Sequence, residues 1–180
     1  MTNVAPEGYE FRELRYGDAG PLAEAYRRNF DHLAPWDPIR PERFYTEHGQ
    51  TDVISAQLAA VANGTLVAWV ISSGERLVGR VNLNNIVRGA LWSGALGYWV
   101  DAEHQGRGLA TAGVRVAVDG ARARGLHRVE AGTLVHNTAS QQVLRRSGFE
   151  QYGLAPHYLF IAGQWQDHLL FQRILHDDPV

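Results

Sequence analysis

The chain has 180 residues, 45% of them hydrophobic, with a formal net charge of −2 and a pI near 6.4. That length suits one domain, able to bury roughly 70% of its unfolded surface without covalent staples. The near-neutral charge argues against generic nucleic-acid binding, and no apolar run approaches the ~20 residues that span a bilayer.

Two absences remove whole classes of chemistry. There is no cysteine, hence no disulfide, thiolate zinc site or cysteine nucleophile. All 17 basic residues are arginine, which removes a lysine Schiff base, a lysine base and the lysine of a P-loop. The eight histidines show no metal-ligand spacing, and no metal is expected. No Gly-x-Ser-x-Gly elbow marks a hydrolase. Met1 to Phe11 lacks the basic-then-apolar layout of a signal peptide, so a cytoplasmic protein is expected.

Tyr9 to Arg15 alternates as a strand, with Tyr9, Phe11 or Leu14 inward. Asp18 is placed to cap a helix with Pro21 in its first turn and Leu22, Ala25, Tyr26 and Phe30 on one face. Pro35, Pro38 and Pro41 end that helix in a loop around Trp36. A second helix is predicted over Glu42 to Ala62, interrupted near Gly49 and ended by Asn63-Gly64. Leu66 to Ile71 and Leu77 to Leu83 read as strands of a hairpin turning at Ser72 to Glu75.

After a loop, Asn84 to Gly89, a long strand is predicted over Leu91 to Val100. Gly108 to Arg124 has helical spacing, with Leu109, Ala112, Val116, Ala117 and Ala121 inward and Gly125 as its cap. Arg128 to Val135 reads as a strand and Thr138 to Arg146 as a short helix closed by Ser147-Gly148. Phe149 to Tyr152 and Asp167 to Ile174 read as strands, with a further short extended piece at Tyr158 to Ile161 and a turn at Gly163. The fold class is mixed α/β (α+β), with antiparallel hairpins first and one strand–helix–strand unit later, in a single domain over 1–180.

Within that unit, Gln105-Gly106-Arg107-Gly108-Leu109-Ala110 joins a strand to a helix. Glycines there present free backbone N–H groups and the positive end of a helix dipole, an arrangement that binds phosphate. Arg107 can add charge. The bland alternative is a structural turn. A dinucleotide fingerprint fits poorly, because Thr111 stands where the third glycine belongs and polar residues Asp101 to Gln105 separate strand from loop.

The stretch Gln105-x-x-Gly108-x-Ala110 resembles the pyrophosphate loop of the GCN5-related N-acetyltransferases, the GNAT superfamily. His136-Asn137-Thr138-Ala139-Ser140 with Leu144-Arg145-Arg146-Ser147-Gly148-Phe149 resembles its Asn-x-x-Ser…Gly-Phe segment. Asn84 to Gly89, Leu96-Gly97-Tyr98 and Gly163 to His168 are similar to the RimJ/RimL-like ribosomal-protein-alanine N-acetyltransferases. The resemblance implies a twisted, mostly antiparallel sheet of about seven strands, splayed between the fourth and fifth and flanked by helices. It implies acetyl-CoA as cofactor, with CoA as product.

The resemblance also implies site roles. The strand ending Tyr98-Trp99-Val100 is expected to carry a bulge and to splay from the next strand, pairing its backbone with the pantetheine arm. Gly106, Arg107, Gly108, Leu109, Ala110 and Thr111, with Gln105, would hold the pyrophosphate. Asn137 would bond the cofactor arm and Ser140 would lie near the sulfur; capping the short helix is the alternative for Asn137. A glutamate base of a RimL-type relative falls on Leu159, so it does not carry over. Glu130, His157 and Tyr158 remain candidates, against a sheet-surface carboxylate, a solvated loop histidine and a packing ring.

Trp36, Asn82 and Asn84 are candidate acceptor-binding residues, or else a covering ring and turn formers. A protein α-amine, with a pKa of about 8, is roughly one-tenth neutral at pH 7, against about 0.04% for a lysine side chain. The resemblance implies a protein N-terminal α-amine as acceptor, that of a ribosomal protein among the candidates, and such an amine needs only modest base assistance. The alternatives are a small-molecule amine (antibiotic, amino acid or polyamine) and a CoA-binding sensor without turnover. A monomer or homodimer is expected, with no nucleic-acid or membrane partner.

Overall fold

A computed structural model describes residues 5–177. The first four residues of the stretch read for a leader lie outside the described residues. The elements in chain order are β1 (Glu10–Glu13), α1 (Ala19–Arg28), a short α2 (Phe30–Leu33), α3 (Glu47–Ala62), β2 (Val67–Ser73), β3 (Arg76–Val87), β4 (Ser93–Val100), α4 (Leu109–Arg122), β5 (Arg128–Leu134), α5 (Thr138–Arg146), β6 (Glu150–Ile161) and β7 (Gln164–Ile174). They build one seven-stranded sheet in the order β1-β2-β3-β4-β5-β7-β6. Every pairing is antiparallel except β4 with β5, which α4 connects.

The sheet is covered on both faces. Six of the seven β2 residues are buried, as expected for a strand with helices above and below. On one side Ala68 and Val70 pack with Leu22, Ala25 and Ile54 of α1 and α3. On the other, Trp69, Ile71 and Val81 pack with Val114, Ala117 and Ala121 of α4. Two glycines set the depth of α4: a Cβ at Gly113 would lie 2.6 Å from Val81 Cγ2, and one at Gly120 2.8 Å from Trp69. Each fully buried Val or Leu side chain contributes about 1.5–3 kcal/mol of burial free energy.

Several predicted boundaries move. Asp18 precedes α1, but its carboxylate caps nothing in that helix; it pairs with Arg12 at 2.7 Å and accepts the Arg15 amide. α1 stops at Arg28, and Phe30 begins α2 half-exposed rather than on a common buried face. The break in the second predicted helix falls at Thr46, whose hydroxyl accepts the Gly49 amide and caps α3, so Gly49 lies inside the helix. β3 runs through the predicted loop as far as Val87, and Glu150 to Ile161 form one strand, β6, rather than two pieces. Pro156, His157 and Tyr158 form a wide bulge in β6 opposite Asp167, with His157 at φ 49°.

The splay is present and the expected bulge is displaced. β4 pairs with β5 only at Ser93↔Arg128, Gly94↔Val129 and Ala95↔Glu130. Beyond Ala95 the two strands diverge, while β5 remains paired with β7 from Ile174 to His168. The β3–β4 register is continuous from Gly79↔Val100 to Asn84↔Ala95, so Tyr98-Trp99-Val100 carries no bulge. The irregularity instead lies in β3 between Asn84 and Val87, where Asn85 takes φ 49°. A bulge there adds local twist where β4 begins to leave β5.

Candidate active site

The opening between β4 and β5 has two sides. On the α4 side, Asp101 follows β4, and its buried carboxylate accepts from Arg28 Nε (2.8 Å), Asn29 Nδ2 (2.9 Å) and the Glu103 amide (3.0 Å). Burial alone would raise its pKa, but those three donors hold it below the ordinary carboxylate value. This anchor starts the segment that contains the glycine loop. Gly106 and Gly108 take φ 72° and 77°, a region where a side chain is disfavoured. Gly108 is the N-cap of α4, and the first helical bond runs from Ala112 N to Gly108 O. The amides of Leu109, Ala110 and Thr111 thus precede the helical ladder.

The space beyond both loop glycines is open, since a Cβ at either meets no atom within 4 Å. Leu109 is 1% exposed and pins the helix start to the core. Arg107 donates to Tyr9 Oη (2.9 Å) and to the Glu103 carbonyl (3.2 Å), and Gln105 Nε2 lies 3.0 Å from His32 Nε2. Side chains are therefore tied beside the loop while its backbone faces outward. Amides outside the helical ladder at a helix N-terminus, with open space beyond the loop glycines, fit the phosphates of a nucleotide cofactor.

Deeper in the opening, Tyr98 on β4 and Ser140 in the first turn of α5 bring their hydroxyl oxygens to 2.8 Å. Burial pushes the Tyr98 phenol up to about 12, partly opposed by its hydrogen bond with Ser140. Tyr98 is thus a hydroxyl donor at neutral pH and not a base. Asn137 Oδ1 accepts the Ser140 amide at 3.1 Å and caps α5, the alternative that the sequence left open for it.

On the α1/α3 side lies a cavity of about 390 Å³ lined by Trp36, Asp37 and Arg40 of the proline loop, by Gln57 of α3, and by Arg80, Asn82, Gly97 and Trp99 of the sheet, among others. The Trp36 ring lies 5.5 Å from the His136 ring, so the proline loop reaches over the end of β5. Asp37 forms an ion pair with Arg40 at 3.1 Å, and its carbonyl accepts the Ala162 amide. Trp99 Nε1 donates to Tyr26 Oη. Trp36 and Asn82 thus face the cavity. Asn84 does not line it; Nδ2 donates to the Ala95 carbonyl at 3.4 Å beside Gly97.

The three base candidates are separated. Glu130 sits at the last β4–β5 pair, where its carboxylate accepts from Ser93 Oγ (3.1 Å), Arg128 Nη2 (2.7 Å) and Tyr152 Oη (2.8 Å). His157 is exposed at the β6 bulge, its amide donating to Asp167 Oδ1 at 2.8 Å. Tyr158 stacks edge-on against His168 at 5.5 Å, and both rings flank Gly132 of β5. His168, 4% exposed on β7 beside Gly132, escaped the sequence reading because alternation along a strand does not distinguish a buried histidine from a solvated one.

A strand pair that opens after three residues, with a glycine-capped helix start at its mouth and a hydroxyl pair in its depth, defines a coenzyme-A-dependent acyltransferase fold. The acetyltransferase (GNAT) domain family matches residues 9–150, and the chain belongs to that family. It is 34% identical to the Escherichia coli [ribosomal protein uS5]-alanine N-acetyltransferase over 163 residues, 85% of this chain and 80% of the relative. The ribosomal-protein-S5-alanine acetyltransferase of Vibrio fischeri superposes with a TM-score of 0.91 at 33% identity, covering 95% of each chain. Mycobacterium smegmatis RimJ in complex with CoA-disulfide superposes at 0.88 and 32%, covering 94% of this chain and 83% of that one. The protein is an acetyl-CoA-dependent acetyltransferase, so the reading as a sensor without turnover falls away. No described helix is long and apolar enough to cross a membrane.

Proposed function

We propose that the protein acetylates an N-terminal α-amine of a protein, of the alanine-first kind named for the Escherichia coli and Vibrio fischeri relatives. The observation that carries this reading is the cavity of about 390 Å³, which brings Trp36 and Asn82 together with Gly97 and Tyr98 of β4, beside the Tyr98–Ser140 pair. Relatives that modify bacterial ribosomal proteins support a cytoplasmic setting.

Acetyl-CoA supplies the acetyl group as an activated thioester. The backbone amides from Gly106 to Thr111 would hold its phosphates, with Gln105 and Arg107 shaping the loop. The β5-facing backbone edge of Tyr98, Trp99 and Val100 is left without a strand partner in β5, and would hold the arm with Asn137. The Tyr98 and Ser140 hydroxyls form one unit. Tyr98, fully protonated at neutral pH, donates through Ser140 or directly, so a proton is available where negative charge leaves.

The acceptor amine needs little base assistance, since about one-tenth of an α-amine is already neutral at pH 7. Glu130 is engaged by three donors, and His157 faces solvent. The amine proton therefore passes to water, with positioning by Trp36 and Asn82 supplying most of the acceleration. A small-molecule amine is the second reading, favoured by a cavity volume that matches ordinary small-ligand pockets. Thiol release from acetyl-CoA with alanine- and serine-first peptides, beside a panel of small amines, separates the two. Peptide rates no better than small-amine rates would overturn the proposal.

A further inference from the structure

Burial of charge in this protein follows a rule with one exception. Among the described residues two carboxylates are buried, Asp18 and Asp101, and each pairs with arginine. Arg80, the one arginine among the buried described residues at 3% exposure, pairs with no carboxylate. Its two hydrogen bonds both leave from Nη2, to Gln57 Oε1 (2.8 Å) and Asn82 Oδ1 (3.2 Å), and both acceptors are neutral amides. Its Nε is buried without a partner. A buried guanidinium cannot shed its proton as a lysine would, so an uncompensated charge persists, at a free-energy cost.

That charge borders the acceptor cavity. The ionisable carboxylate and guanidinium groups in its lining are Asp37, Arg40 and Arg80. Asp37 and Arg40 neutralise each other, which leaves one net positive charge at Arg80. Asn82 is two residues further along the same face of β3, and it also lines the cavity.

We infer that Arg80 makes this cavity selective for an acceptor that carries a carboxylate near its amine. The inference rests on the reading of this cavity as the acceptor site. The carboxylate could be a Glu or Asp side chain within the first few residues of a peptide, or the carboxylate of a small amino acid. Either supplies the missing counter-charge, and charge-assisted bonds to arginine carry more discrimination than neutral ones.

The test compares matched acceptors by CoA thiol release: alanine-first hexapeptides with Glu or Gln at positions two, three or four, and β-alanine against β-alaninamide. At least about a tenfold advantage in kcat/KM is expected for the acidic member of a pair. Arg80→Met is expected to bring that ratio to about one, and Arg80→Lys to retain part of it. Ratios within about twofold in every wild-type pair, or an acidic preference that survives Arg80→Met, overturn the inference. Should Arg80→Met fail to fold, the wild-type ratios decide alone. Peptide turnover with no acidic preference in any pair, the small-amine pair included, sinks the inference and leaves the N-terminal reading standing. Acidic preference confined to the small-amine pair does the reverse, and no turnover of any acceptor overturns both.

Discussion

The Tyr98 and Ser140 hydroxyl oxygens lie 2.8 Å apart, joining β4 to the first turn of α5 across the gap that opens once β4 and β5 cease to pair. The contact places a protonated phenol beside a serine at the depth of the opening. Tyr98→Phe and Ser140→Ala are each expected to lower kcat roughly 10²–10⁴-fold, the scale of a positioned proton donor, with the KM for acetyl-CoA changed little. The double variant should cost no more than about the larger single loss, because the pair acts as a unit.

The phenol also predicts an alkaline effect. A tyrosine free in the unfolded chain ionises near 10, and Tyr98 in the fold near 12. The folded state therefore holds a proton that the unfolded state has lost, so this stabilisation is complete below pH about 10 and falls as pH rises from about 10 towards 12. Urea midpoints between pH 9 and 12 should fall less steeply in Tyr98→Phe than in the wild type. Parallel slopes would contradict the assignment.

Asp101 is fully buried and joins Arg28 and Asn29 to the start of the loop segment. Asp101→Asn leaves the partly buried Arg28 short of its counter-charge, and a loss of about 3–5 kcal/mol is expected from urea denaturation at pH 7. The carboxylates of Asp18 and Asp101 are both held below their ordinary values, so their contribution is present above the unfolded pKa of about 4 and disappears as pH falls below it. The difference between wild type and Asp101→Asn should accordingly shrink between pH 5 and pH 2.

Glu130 closes the paired end of β4 and β5. Glu130→Gln keeps an oxygen to accept from Ser93 or Tyr152 and loses the ion pair with Arg128. A stability loss of about 1 kcal/mol is expected, with kcat/KM for the acceptor within about threefold of wild type. A hundredfold fall with stability intact would instead make Glu130 the base.

The legible parts were those written in contiguous residues. Gln105 to Thr111 holds both its strand–loop–helix context and the two glycines that adopt positive φ, and Asn137 to Ser140 holds a cap and a hydroxyl within one turn. The Tyr98–Ser140 contact joins positions 42 apart, and no local pattern encodes it. Arg80 could be placed on a strand face by alternation, but its burial depends on Gln57 of α3, 23 residues earlier. Phe149 to Tyr152 and Tyr158 to Ile161 read as separate pieces, yet β7 holds β6 together around a bulge, because tertiary pairing outweighs local propensity. Asn84 to Gly89 read as a loop, and Asn85 does take a positive-φ conformation, but inside a strand.

The central claim is that the glycine-capped start of α4 binds the phosphates of acetyl-CoA. Gly108→Asp places a negative charge at that point, and Gly125→Asp places one at the other end of α4. Both glycines have left-handed φ, 77° and 69°, and open space beyond them, so the backbone strain of about 1–2 kcal/mol is shared. Acetyl-CoA affinity measured by calorimetry for both variants is the direct test. At least about a 30-fold rise in Kd is expected for Gly108→Asp and little change for Gly125→Asp. An unchanged Kd in folded Gly108→Asp would contradict the account.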